Sequence, residues 1–158
     1  VKPPPEVDAS RRVLAIFYDH RSAPLTCVDE GPLRGLRHRT VIDRATGASS
    51  LALWQEEHLP GFRVPLHRHD CEEVIAVVAG AIRAQVGDAV HEVRGGQSIL
   101  IPAWALHGFE VVSAEPVELL ALFAASDPRI FRADGTPSEP PWRGGASSHL
   151  EDEPGTSP

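Results

Sequence analysis

The stretch GFRVPLHRHDCEEVIAVVAG, residues 61–80, decides how this chain is read. His67 and His69 are separated by one residue, and on an extended strand positions i and i+2 project from one face, so both imidazoles can converge on one point. Glu73 follows four residues on, beyond a short irregular step at Asp70-Cys71, and leads into the apolar run 74–79. The reading is a strand, a break and a second strand, with three side chains able to hold a metal gathered at the junction. A His-x-His pair alone is a weak signal, since isolated histidines are commonly surface residues or satisfied core groups.

The same punctuation continues on either side. Turn signals fall at residues 43–47, Pro60-Gly61, Gly80, Gly87-Asp88 and Gly95-Gly96, and between them apolar and polar residues alternate over four to eight positions, the pattern of half-buried strands. Gly87-Asp88 stands between segments 81–86 and 89–94, where a tight hairpin pairs two strands with little loop. The continuous apolar run 117–124 has the length of a fully buried strand. About eight strands and no amphipathic helix predict an all-β sandwich or barrel, which limits exposed edges by closing on itself. His107, after the turn Pro102-Ala103-Trp104, opens a further short strand and supplies a fourth ligand.

Three neutral nitrogens and one carboxylate suit one divalent transition metal, Fe(II), Mn(II), Ni(II), Co(II) or Zn(II), because imidazole accepts all of them. Four protein ligands leave one or two positions open on a five- or six-coordinate ion.

These residues also carry a resemblance. Gly61, His67, His69, Glu73 and Gly80 reproduce G-x5-H-x-H-x3-E-x6-G, the first motif of the cupin superfamily, without a gap. The stretch from Gly96 through Pro102 and His107 is similar to the second motif, G-x5-P-x-G-x2-H-x3-N. It departs from it at Trp104, where the family usually has glycine, and at Val111, which replaces the terminal asparagine. The resemblance implies a cupin double-stranded β-helix, a jelly-roll barrel, with His67, His69, Glu73 and His107 as metal ligands. It implies a local backbone at Trp104 unlike the family's, with a large indole at the mouth of the site.

Length and composition bound the rest. The 158 residues fit a single barrel domain over residues 13–142. Residues 1–12, with Pro3, Pro4 and Pro5, form an N-terminal arm, and residues 143–158, rich in Gly, Ser, Glu and Asp, a disordered C-terminal tail. A net charge of −7 gives no basic face for a phosphate backbone, so nucleic acid and anionic membrane are not expected partners. No apolar segment approaches a bilayer span, residues 1–10 lack an apolar signal core, and Cys27 and Cys71 are expected to be thiols; the expected location is cytoplasmic. Cys71, beside the ligands, reads as a small buried hydrophobe rather than a ligand. His20, His38, His58, His91 and His149 lack ligand-like spacing and read as surface or loop residues.

Alternation turns Ile75 and Val77 inward with the ligands and sets Phe109 and Val111 on the face of His107, giving an apolar pocket wall. Gln55, Arg63 and Trp104 complete the expected substrate pocket, while Trp54 and Trp142 read as packing residues.

The function implied is a metal-dependent enzyme acting on a small organic molecule, with Fe(II)-dependent dioxygenase chemistry favoured and O2 as co-substrate. Glu73 is a ligand that can also serve as a base. The alternatives are a non-oxidative isomerase, cyclase or lyase using the metal as Lewis acid, or a non-enzymatic binding cupin. The resemblance further implies a homodimer, with segment 13–17 as an exchanged strand.

Overall fold

A computed structural model of the chain describes residues 15–143. The expected arm, residues 1–12, and all of the expected tail except Arg143 lie outside them, as does His149. Among the described residues there are twelve strands and two single 3-10 turns, His20–Ser22 and Gly31–Leu33. The count exceeds the eight expected because short pairings at both ends add to the main strands. No helix among these residues is long and apolar enough to cross a membrane.

The strands form two antiparallel six-stranded sheets, the arrangement of a jelly roll. Sheet A runs β1 (Thr26–Cys27), β2 (Arg37–Ile42), β3 (Ala52–His58), β10 (Val117–Phe123), β5 (Glu73–Ala79), β8 (Gln97–Ile101). Sheet B runs β12 (Pro137–Ser138), β11 (Ile130–Arg132), β4 (Arg63–His69), β9 (His107–Val111), β6 (Ala81–Val86), β7 (Ala89–Arg94). The expected hairpin across Gly87-Asp88 is β6–β7, and β10 is the buried strand foreseen in the run 117–124.

Alternation builds the core. On β3, Ala52, Trp54, Glu56 and His58 are all buried while the residues between them are half-exposed. Opposite partners follow in register, with Glu73↔Phe123↔Ala52, Ile75↔Ala121↔Trp54 and Val77↔Leu119↔Glu56. Ile82, Val117 and Leu119 are essentially sealed from solvent, each stabilising the fold by about 1.5–3 kcal/mol relative to exposure.

The outward face of sheet A carries an apolar row. The pairs Ile42↔Leu53, Leu53↔Leu122, Leu122↔Val74 and Val74↔Leu100 make one row across five strands, with Leu100 and Leu122 well exposed.

Candidate metal centre

Strand β4 carries Pro65, which has no N–H for the ladder, and the β4–β9 register shifts between Val64 and His67. That irregularity delivers His67 opposite His107, with His69 two residues on and facing the same way. The chain then leaves sheet B at His69 and re-enters in sheet A at Glu73. The three histidines thus stand on two neighbouring strands of one sheet, and Glu73 reaches across from the other. The further strand expected to supply His107 is β9, hydrogen-bonded beside β4.

Gly108 makes that closeness possible. A Cβ built there would lie 2.6 Å from the Val64 carbonyl oxygen, so a side chain would push the strands apart.

One donor atom from each of His67, His69, Glu73 and His107 lies within 4.8 Å of the others. Nε2 of His67 and His69 are 3.2 Å apart, Nε2 of His69 lies 3.7 Å from Glu73 Oε2, and Nε2 of His107 lies 2.9 Å from the same oxygen. Neighbouring ligands on a metal with bonds of about 2.1 Å are roughly 3.0–3.4 Å apart, so these spacings suit a shared ion.

Each imidazole is fixed from behind. Nδ1 of His67 donates to Pro65 O (2.8 Å), that of His69 to Arg129 O (2.9 Å) and that of His107 to Ala105 O (2.8 Å). A proton on every Nδ1 leaves a lone pair on every Nε2, the outer support common to metal-binding histidines. His107 Nε2 and Glu73 Oε2, though close, are not aligned as a hydrogen bond, and both stay without such a partner among the described residues. Two buried polar atoms left this way would each cost about 1–3 kcal/mol, a cost that a cation between them removes. The donor set therefore fits a divalent transition metal.

The electrostatics agree. Burial, then the neighbouring His107, pushes both His67 and His69 down to about 4, so both are neutral at physiological pH. Burial also disfavours charge on His107, but the Glu73 carboxylate outweighs it and the net shift is upward. The site favours a positive charge at that spot, a proton or a metal.

Cys71 is half-buried against the core and stands apart from the four-residue cluster, and its thiol is pushed up to about 11 by burial, with Asp70 and Glu73 adding to the shift.

The ligands His67, His69 and Glu73 line a cavity of about 720 Å³ inside the barrel. Ile75 and Phe109 line it as expected, whereas Val77 is buried in the core without reaching it. Gln55 points outward to Glu118 (3.0 Å) and Arg63 pairs with Glu110 (3.0 Å) on the surface, so neither belongs to the pocket. Trp104 is also outside. Its φ of 65° is the left-handed conformation that a glycine would adopt, so the turn is kept rather than altered as expected. Its N–H donates to His69 O (2.8 Å) and its indole lies 5.0 Å from Phe131, half-exposed.

The cavity's remaining wall was missed by the sequence reading. Trp54, Glu56, His58 and Trp142 line it. His38 and His58, read as surface or loop histidines, are almost completely buried. His38 Nδ1 and His58 Nε2 each lie 3.0 Å from one oxygen of Glu56, and His38 Nε2 lies 3.0 Å from Thr40 Oγ1. Burial alone would raise the Glu56 carboxyl, but its two histidine partners outweigh that and hold it well below the usual carboxylate range.

The fold and the site define a barrel whose His67, His69, Glu73 and His107 could hold a metal ion, and residues 54–123 match the family model of the cupin domain. Those residues form a cupin domain. It is 40% identical over 47 residues to auxin-binding protein T92 of Nicotiana tabacum, covering 29% of this chain and 25% of that protein. It is 34% identical over 80 residues to protein SchB of Streptomyces halstedii, covering 50% of this chain and 55% of that protein. The chain thus spans from about a quarter to about half the length of these curated relatives. Among solved structures, the polyketide cyclase RemF from Streptomyces resistomycificus matches 73% of this chain and 82% of its own, with TM-score 0.62 and 25% identity.

Proposed function

We propose that this chain is a metal-dependent enzyme that promotes non-oxidative ring chemistry, cyclisation or the elimination that follows it, on an enolisable, polyketide-type molecule. The observation that carries the reading is the opening of a three-histidine, one-glutamate cluster onto a large cavity walled by Trp54, Ile75, Phe109 and Trp142. The likeness to a polyketide cyclase over most of both chains supports it.

His67, His69, Glu73 and His107 would hold the ion, which when bound supplies Lewis-acid polarisation of a carbonyl or enolic oxygen. The backbone carbonyls of Pro65, Arg129 and Ala105 hold the imidazoles so that no reorganisation is needed when charge develops. Glu73, wedged between His69 and His107, is assigned to holding the ion rather than to the base role expected of it. The aromatic walls orient a flat molecule and exclude water from its reacting face. Both cysteines are free, which goes with the cytoplasmic location inferred above. The apolar outer row of sheet A supports a homodimer.

The same donors accept iron, so the Fe(II)-dependent dioxygenase is the second reading. Metal analysis of protein purified without added metal, followed by anaerobic and aerobic turnover of poly-β-ketone test substrates, separates the two. Anaerobic turnover lost in His107→Ala supports the cyclase reading. Turnover only with iron and stoichiometric O2 uptake supports the second, and turnover untouched by metal removal refutes both.

A further inference from the structure

We propose that His58 is a second, metal-independent site in the same cavity, which binds a phenolic or enolic hydroxyl of the ligand and accepts its proton. The inference deepens the reading above: it rests on the choice of an oxygen-bearing aromatic ligand and not on the metal.

The hydrogen-bond pattern assigns the protons. Glu56 is ionised and can only accept, so it takes His38 Nδ1–H on one oxygen and His58 Nε2–H on the other. The Thr40 hydroxyl then donates to His38 Nε2, which completes that ring. His58 is left with a bare lone pair on Nδ1, and this atom has no hydrogen-bond partner among the described residues. A wholly buried histidine with one nitrogen held by a carboxylate and the other free is the arrangement of a general base and its orienting acid. Structural histidines of the core, by contrast, have both nitrogens satisfied, as His38 does.

The surroundings select the ligand. The His58 ring lies 4.7 Å from Phe62 and 5.1 Å from Phe109, and His38 stacks on Trp142 at 3.9 Å. Glu56 and His58 line the cavity with Phe109 and Trp142, so a group that reaches Nδ1, which is sealed from water in the free protein, arrives on an aromatic body. On transfer, the proton leaves the ligand oxygen for Nδ1, the negative charge stays on that oxygen, and the imidazolium is balanced by Glu56. Reprotonation from Nδ1 restores the starting state.

Titration calorimetry with 2-naphthol and with 2-fluoronaphthalene, which lacks the O–H, tests the site. The wild type is expected to prefer naphthol roughly tenfold. That preference should persist after metal is stripped and fall to within about twofold in His58→Phe, with metal content unchanged. Because His58→Phe also takes one partner from Glu56, imidazole 15N NMR of the wild type provides a test without a variant. His58 Nδ1 should resonate as an unprotonated nitrogen and shift on adding naphthol. A preference that survives in His58→Phe, one lost with the metal, or none in the wild type overturns the proposal, as does an Nδ1 that is protonated in the free protein. Loss of turnover on metal removal with the naphthol preference intact bears on the metal reading alone.

Discussion

Replacing Glu56 by glutamine keeps the shape of a buried side chain and removes its charge. In the wild type the two carboxylate oxygens each accept from a histidine at 3.0 Å. Hydrogen bonds to charged groups contribute about 1.5–3 kcal/mol each. Glutamine retains one acceptor and sets an NH2 against the other histidine's N–H. His58 can escape by moving its proton to Nδ1, which then becomes a buried donor with no partner, so one full interaction is lost either way. Glu56→Gln is expected to cost about 3 kcal/mol at pH 7, or roughly 10 °C in Tm for a domain of this size. The pH dependence follows from linkage. A carboxyl lowered in the folded state contributes fully above its unfolded value of about 4.3, and the contribution is lost as pH falls through the folded value. The gap between wild type and Glu56→Gln should therefore narrow in acid. Urea unfolding of both proteins at pH 7 and at stepwise lower pH measures it. A gap below about 0.5 kcal/mol at pH 7, or one that widens in acid, would refute the hydrogen-bond assignment.

Three further outcomes follow from the geometry. Gly108→Ala should cost about 1–3 kcal/mol and weaken metal binding, because its Cβ would meet the Val64 carbonyl at 2.6 Å and move His67 relative to His107; urea midpoints and metal titration read both, and unchanged metal affinity would contradict the role given to the close approach. Iodoacetamide at pH 8 should modify exposed Cys27 and spare Cys71, whose thiol at about 11 leaves roughly one thiolate in a thousand; equal labelling by mass spectrometry would disprove the inert reading. Leu122→Lys places a charge in the middle of the apolar row on sheet A and should convert a dimer to monomer in sedimentation velocity, whereas a wild type already monomeric at micromolar concentration refutes the dimer.

The sequence made three members of the cluster, His67, His69 and Glu73, legible because their geometry is local: i and i+2 on one strand, a break, then Glu73; His107, on β9, was reached through the motif resemblance. The β6–β7 hairpin was legible for the same reason, with Gly87-Asp88 marking the turn. What failed was the phase of β3. Gln55 was expected in the pocket, but the inward set is Trp54, Glu56 and His58, and a slip of one residue exchanges every side chain between faces. Strict alternation from Ala52 to His58 was the available signal, and two charged or polar residues at inward positions hid it. His38 was beyond reach, since its partnership with Glu56 depends on β2 pairing with β3 across eighteen residues. Trp104 was misplaced because the sequence shows a bulky residue in a turn and not which side of the wall its indole takes.

The step from His69 to Glu73 has a mechanical consequence. Three donors belong to one sheet and the fourth to the other, joined by only Asp70, Cys71 and Glu72. An ion held by this set is a rivet through both walls, and its Glu73 side is the first to open when the sheets part. Metal retention then gauges how tightly the sandwich is closed, and anything that wedges the walls apart, an oversized guest included, loosens the ion from that same side.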